Sequence, residues 1–112
     1  MALYAECLRG QVFSPNGILK VVYEKLNGRI LGVHVCGDDA CEVIHYGMEL
    51  VMAKRTVNDV VNNLYSAVTF HELYRIAAMA GLDEAGARTR RVAAGVALAI
   101  RNRSILAAGD NE

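Results

Sequence analysis

Two neighbouring stretches with different apolar spacing constrain the fold most. Residues 18–25 (ILKVVYEK) and 29–36 (RILGVHVC) are rich in β-branched side chains and flank Asn27-Gly28, a dipeptide suited to the positive φ angles of a hairpin turn. After Gly37 the apolar residues recur with helical spacing, at Ala40, Val43, Ile44, Met48, Val51 and Met52. The sequence therefore predicts an antiparallel hairpin followed by an amphipathic helix.

Weaker signals lie on either side of this core pattern. Residues 4–11 alternate loosely and predict a strand, and residues 64–68 (LYSAV) predict another short one. Thr56 and Asp59 have the spacing of a helix capping box, so a short helix is predicted to begin there. The expected fold class is α+β, a small antiparallel sheet with helices packed on one side.

The C-terminal part of the chain is predicted to be helical. Thr69 and Glu72 form a second capping box, and Gly81 suits the left-handed residue that ends a helix. Residues 83–112 resemble an extra amphipathic helix that frays into a polar tail. Its apolar side is formed by Val92, Val96, Ala99 and Ile100.

Composition limits the classes of function. A chain of 112 residues that is 54% apolar is large enough for one domain, and its twelve basic and twelve acidic residues give no net charge to attract nucleic acid or an anionic membrane. The longest apolar run, residues 92–100, is shorter than the ~20 residues of a membrane span. An odd cysteine count and an N-terminus without the layout of a signal peptide favour the cytoplasm.

The stretch GVHVCGDDACEVIHYG places Cys36 and Cys41 five positions apart and allows three interpretations. A thiol pair could form a disulfide, although the neighbouring acidic residues oppose a stabilised thiolate. Glu42-x-x-His45 is half of a dimetal motif whose other half is missing, so no metal is predicted. The structural interpretation is that Asp39 caps the helix together with Glu42, and Cys41 is a small core residue.

Other polar residues have simple structural interpretations. His34 is predicted to lie on a sheet face, and His71 to face solvent in the first turn of a helix. The arginines are interpreted as a solvated helix face: Arg88, Arg90, Arg91, Arg101 and Arg103. The tyrosines fall in different elements and predict no stacking platform: Tyr23, Tyr46, Tyr65 and Tyr74. No glycine-rich nucleotide motif or nucleophile elbow is present in the sequence.

Two blocks of the sequence resemble the C-terminal dimerisation domain of the FAD-dependent pyridine nucleotide-disulfide oxidoreductases. The first is G-V-H-x-x-G-x-x-A-x-E-x-I-H-x-G, through Gly32, His34, Gly37, Ala40, Glu42, Ile44, His45 and Gly47. The second is similar to T-x-x-E-A-x-R-x-A-A-x-x-G-L, through Thr69, Glu72, Arg75, Ala77, Ala78, Gly81 and Leu82. Within the family the pattern looks most like the soluble pyridine nucleotide transhydrogenases.

The resemblance implies what the chain does and what it lacks. The family's redox cysteines belong to the FAD domain, so the spacing of Cys36 and Cys41 is interpreted as a coincidence. Disulfide-reducing members place an acid/base histidine and a proline where this chain has Ala67 and Val68. Alanine cannot carry a proton, so no catalytic residue is predicted, and Glu72 keeps only its capping role. By resemblance, the backbone of Ala67 and Val68 approaches the flavin bound by a partner subunit.

The predicted organisation is a dimerisation domain, residues 1–82, and a helical extension, residues 83–112. The predicted function is homodimerisation in a FAD-dependent NAD(P) oxidoreductase of the transhydrogenase type. FAD and NAD(P) would bind to N-terminal domains absent from this chain, which by itself binds no cofactor, nucleic acid or membrane. The alternatives are a dihydrolipoamide dehydrogenase-like protein, a standalone thiol protein using Cys36 and Cys41, and a protein that only oligomerises.

Overall fold

Three antiparallel strands form the sheet, in the order β1–β2–β3. The computed structural model describes residues 1–109, with side chains as far as residue 103. Strand β1 is Ala2–Leu3, β2 is Ile18–Tyr23 and β3 is Ile30–Cys36. The β2 and β3 strands pair antiparallel. The predicted hairpin and the α+β class are therefore confirmed.

The hairpin loop differs from the predicted tight turn. Gly28 has a φ of 73°, whereas Asn27 is not among the residues with positive φ. The amide of Glu24 donates to the Arg29 carbonyl over 2.9 Å, which leaves four residues in the loop. Asn27 instead accepts a hydrogen bond from the Arg29 amide through its Oδ1 atom. A single left-handed glycine suffices for a loop of this length.

The predicted strand over residues 4–11 is wrong. After β1 the chain forms a 3₁₀ helix, Tyr4–Glu6, and then helix α1, Leu8–Phe13. The Cys7 sulfur accepts a hydrogen bond from the Gly10 amide at the start of α1. The Tyr4 side chain is fully buried, and Gly10 lies so close to the Tyr4 carbonyl that a side chain would collide with it. Packing of Tyr4 thus favours a turn over an extended strand.

Helix α2, Ala40–Met52, confirms the predicted helix, but its predicted capping box is not formed. Asp39 occupies the N-cap position with a φ of 56°, and its side chain makes no capping hydrogen bond. In its left-handed conformation, the Asp39 carbonyl accepts from the amides of Glu42 and Val43. The neighbouring Asp38 carboxylate accepts a 2.7 Å hydrogen bond from the Ser14 hydroxyl.

Helix α3, Val57–Asn62, confirms the predicted short helix and its capping box. Helix α4, Glu72–Gly109, begins three residues after Thr69 and does not end at Gly81. A Cβ atom on Gly81 would lie 2.6 Å from the Tyr23 hydroxyl, so this glycine allows close packing on β2 rather than a left-handed turn. The predicted strand over residues 64–68 is wrong, because this segment has no regular secondary structure.

Two compact units make up the chain, residues 1–82 and residues 83–112. In the part that the structure describes, all the buried hydrophobic side chains belong to the first unit. The largest are Tyr4, Tyr74, Leu19, Ile30, Leu73, Val43, Val57 and Val60. In the second unit Val92, Val96 and Leu98 are exposed, as are the five arginines. No helix among the described residues is long and apolar enough to cross a membrane.

Candidate functional site

The segment of residues 64–69 joins α3 to α4 and contains Ala67 and Val68. Among residues 1–109, no backbone–backbone hydrogen bond involves residues 65–69. Ala67 is exposed and Val68 is half exposed. The segment therefore presents a small apolar surface, together with backbone amides at residues 65–69 that have no backbone partner among the described residues.

The predicted capping box of Thr69 and Glu72 is not formed as expected. The Thr69 hydroxyl accepts a 3.2 Å hydrogen bond from the amide of His71 rather than from that of Glu72. The Glu72 carboxylate forms a 2.6 Å ion pair with Arg75. A short turn precedes α4, in which the Leu73 amide donates to the Phe70 carbonyl. Thr69 thus stabilises the turn before α4, and Glu72 forms its ion pair within the first turn of α4 itself.

Two tyrosines tie the segment to the helices around it. The Tyr65 hydroxyl donates to the Val60 carbonyl over 2.9 Å and lies 3.1 Å from the Tyr46 hydroxyl. The Asn63 amide group donates to Tyr46 over 3.0 Å. Because each hydroxyl carries one proton, the direction is fixed: Asn63 donates to Tyr46, Tyr46 to Tyr65, and Tyr65 to Val60. Hydrogen bonds in such a chain polarise and strengthen one another.

Tyr74 is inserted into the hydrogen-bond ladder of α2. Its hydroxyl donates to the Val43 carbonyl over 2.6 Å and accepts from the Gly47 amide over 3.0 Å. These two backbone groups are the i and i+4 partners of an ordinary helical bond. A Cβ atom on Gly47 would lie 2.8 Å from this hydroxyl and 2.9 Å from Val33 on β3. The glycine therefore makes room for the tyrosine.

His71 belongs to the same aromatic cluster. Its ring stacks on Tyr74 with centroids 6.2 Å apart and meets the edge of Tyr46 at 5.9 Å. Its Nδ1 atom lies 3.2 Å from the Thr69 hydroxyl. The prediction that His71 faces solvent is only partly right, because the side chain is half-buried. The tyrosines lie in different elements, as predicted, but Tyr46 and Tyr74 meet edge to face with centroids 4.8 Å apart.

Burial raises the pKa values of Tyr65 and Tyr74. Burial is the main cause for Tyr65, and its hydrogen bond with Tyr46 adds to the shift. For Tyr74, burial raises the pKa to about 12. Both groups are therefore neutral hydrogen-bond donors at physiological pH.

The family model of the pyridine nucleotide-disulphide oxidoreductase dimerisation domain matches residues 5–78. The chain belongs to this family. It is 34% identical over 86 residues to the soluble pyridine nucleotide transhydrogenases of Stutzerimonas stutzeri (strain A1501) and Escherichia coli O1:K1 / APEC, which covers 73% of this chain and 18% of each relative. A transhydrogenase of the same name from Pectobacterium carotovorum subsp. carotovorum is equally similar, with 57% of its length covered. The resemblance inferred from the two sequence blocks is confirmed.

In this dimerisation domain the predicted site residues are only partly brought together. Ala67 and Val68 share the segment that the tyrosines hold. Asp39 and Glu42 are exposed at the start of α2. Sequence reasoning missed Tyr46 and Tyr65, and no local signal marks them, because the elements that carry them meet only in the tertiary structure.

The cysteines of the dimerisation domain are free thiols. Cys36 and Cys41 are exposed, whereas Cys7 is buried, so the prediction that Cys41 is a core residue is wrong. His34 and His45 are exposed on either side of the first two. Within the described residues, no group of three His, Cys, Asp or Glu side chains could hold a metal ion.

The groups that this segment exposes would fit contact with a flavin. Its amides over residues 65–69 lack backbone partners in the described part of the chain, and Val68 exposes an apolar side chain. Unpaired donors and apolar surface are the groups that a flat, hydrogen-bonding ring system requires. Ala67 and Val68 would provide such a contact through their backbone.

Proposed function

We propose that this chain is the homodimerisation domain of a FAD-dependent NAD(P) oxidoreductase, of the soluble transhydrogenase type. Family membership and the names of the relatives support the proposal. The chain spans 18% of the length of two of these relatives. Domains that bind FAD and the nicotinamide nucleotide would therefore be supplied by further sequence of the same enzyme, working in the cytoplasm.

An exposed apolar groove between β3 and α2 is the observation that carries the proposal. It is lined by Leu31, Gly32, Val33, Ile44, Gly47, Met48, Val51 and Met52. Leu31 and Met48 are each about half exposed, and Met52 is 76% exposed. A contiguous apolar surface of this kind is typical of an interface, and two copies of one patch make a closed symmetric dimer.

Dimerisation would also complete the flavin site. Each subunit would place the backbone of Ala67 and Val68 beside the flavin held by its partner. With alanine at position 67, this chain has no imidazole at the position where disulfide-reducing members have their acid/base histidine. Hydride transfer between a nicotinamide and a flavin requires no such group, which favours the transhydrogenase over the dihydrolipoamide dehydrogenase alternative.

Light scattering at increasing concentration tests the dimer. The wild-type chain should reach about twice its monomer mass of 12.2 kDa. The variant Met52→Glu places a charge in the groove and should raise the dissociation constant of the dimer by about tenfold or more. Leu26→Glu is the matched control, because Leu26 is fully exposed in the hairpin loop. A chain that stays monomeric at millimolar concentration would contradict the proposal.

The enzymatic part of the proposal requires a second measurement, the intact mass of the native polypeptide. A mass several times 12.2 kDa is expected, with bound flavin and with hydride transfer between nicotinamide nucleotides that does not depend on a thiol. A native mass near 12.2 kDa would contradict the proposed flavin binding and hydride transfer. It would leave self-association as the function.

The exposure of Cys36 and Cys41 favours one alternative, a standalone thiol protein. In that case the thiols would react as a pair, and the Cys36→Ser variant would change the reactivity of Cys41 towards a disulfide reagent. Equal and independent reaction rates of the two thiols would reject this alternative.

A further inference from the structure

We infer that Tyr46 and Tyr65 are positioning residues, which hold residues 64–68 in the conformation that exposes Ala67 and Val68. The inference rests on the proposed function in one respect, namely that this segment faces a flavin. The hydrogen-bonded chain itself is independent of any flavin. It begins at Asn63, passes through the two hydroxyls and ends at Val60.

The backbone alone does not fix this segment. Residues 65–69 make no backbone–backbone hydrogen bond within the described part of the chain. At the N-terminal end, the Leu64 amide donates to the Asn63 side chain over 2.9 Å. At the C-terminal end, Thr69 binds only its near neighbour His71. Side chains must therefore connect the middle of the segment to the rest of the domain.

Tyr65 is the side chain that makes this connection. Of residues 64–68 it alone is half-buried, whereas the other four are exposed. Leu64 is 94% exposed, so its side chain contributes almost no packing. The Tyr65 ring also meets the edge of Tyr46 with centroids 6.1 Å apart. One residue thus anchors a five-residue stretch, both by its hydroxyl and by its ring.

Tyr46 determines where this anchor lies. It belongs to α2, whose position is fixed by the buried residues Val43, Gly47 and Leu50. Its hydroxyl uses its proton on Tyr65 and accepts from Asn63, so both of its hydrogen bonds lead to the end of α3 and the segment. Removal of either hydroxyl breaks the same chain, so the effects of the two removals should not add.

The test is nitrogen-15 relaxation of the full chain and its phenylalanine variants. In the wild type, backbone order parameters of residues 64–68 should approach the value of about 0.85 of rigid structure, and in Tyr65→Phe they should fall towards about 0.6. Tyr46→Phe should produce a fall in the same residues, and the double variant should be no more disordered than Tyr65→Phe. The matched control is Tyr23→Phe, which removes a tyrosine hydroxyl at the sheet and should leave the segment ordered.

Each other result counts against the inference. Unchanged order in Tyr65→Phe would overturn it, and so would a loss of order shared equally by β2 and β3, which would indicate general destabilisation. Additive effects of the two variants would contradict the inference that the two hydroxyls belong to one chain of hydrogen bonds. Light scattering on the same samples separates the two proposals: a monomeric wild type with an ordered segment that Tyr65→Phe loosens rejects only the dimer. A dimer whose segment is insensitive to Tyr65→Phe rejects only the positioning role.

Discussion

Gly47 lies where α2 packs closely against Val33 of β3 and Tyr74 of α4. In Gly47→Ala, the gain in helix propensity of about 1 kcal/mol is smaller than the cost of overpacking, about 1–3 kcal/mol, together with about 1 kcal/mol for a disturbed hydrogen bond. The free energy of unfolding should fall by about 2 kcal/mol, measured by denaturant titration. Gly32→Ala is the control, because its added Cβ would have no described atom within 4 Å apart from those of its neighbours along the chain. Equal effects of the two substitutions would contradict the packing argument.

The raised pKa of Tyr74 predicts how the free energy of unfolding depends on pH in the alkaline range. Its pKa is about 12 in the folded chain, against an ordinary value of 10.0. Since the folded value is the higher one, the stabilisation is fully present below pH 10.0 and is lost as the pH rises towards 12. The free energy of unfolding should therefore decrease over this range, and less steeply in Tyr74→Phe. Parallel pH profiles for the two proteins would show that this hydroxyl contributes nothing.

At the scale of elements, α3 begins with a reciprocal cap between two residues that are only three positions apart. The Thr56 hydroxyl accepts from the Asp59 amide, and the Asp59 carboxylate accepts from the Thr56 amide over 2.8 Å. Thr56→Ala should lower the free energy of unfolding by about 1 kcal/mol. Asn58→Ala, at an exposed position of the same helix, should change it by less than about 0.5 kcal/mol. A loss in Asn58→Ala as large as that in Thr56→Ala would show that the cap is not responsible.

The same cap should respond to acid. The hydrogen bond from the Thr56 amide lowers the pKa of Asp59 below its ordinary value of 3.8. A lowered folded pKa stabilises the fold above pH 3.8, and this contribution disappears as the pH falls through the folded value. The effect of Asp59→Ala, which removes the carboxylate that accepts from the Thr56 amide, should consequently shrink at acid pH. An effect that is constant from neutral to acid pH would contradict this dependence.

The elements that could be predicted from the sequence are those with local causes. The hairpin around Gly28 and the helix opened by Thr56 depend on residues only a few positions apart. The wrong predictions have tertiary causes. Glycine is typical of a helix end, but Gly81 is required for another reason. It leaves room for Tyr23 of β2 to pack against α4. Asp39 has the spacing of a cap, but its backbone is left-handed and its side chain makes no capping hydrogen bond.

The position of the candidate site could be predicted from the sequence, but the side-chain contacts that hold it could not. The resemblance drew attention to Ala67 and Val68, and the structure gives them an exposed segment. The strand predicted there rested on the apolar and aromatic residues of LYSAV. In the fold, Tyr65 uses its ring and hydroxyl on Tyr46 and Val60 instead of pairing with a strand. A single sequence contains no signal for such a contact between distant residues.

For the whole molecule, the groove and the candidate site both lie in the first compact unit. The buried hydrophobic side chains of the described chain all lie between Ala2 and Ala78. A chain of residues 1–82 should therefore unfold cooperatively, with a free energy of unfolding within about 1 kcal/mol of the full chain. It should also form the same dimer, since the groove residues are retained. Circular dichroism under denaturant and light scattering measure the two properties.

A shorter chain of residues 1–78 shows why the domain should extend beyond the region matched to the family. This chain lacks Gly81, which packs on Tyr23, and Leu82, which is partly buried against the core. Partial burial of a leucine is worth about 1 kcal/mol, so the shorter chain should be less stable than residues 1–82 by about that amount. If residues 1–82 fail to unfold cooperatively, or are no more stable than residues 1–78, the proposed domain end at residue 82 is wrong. If they match the full chain, residues 83–112 are dispensable for both folding and self-association.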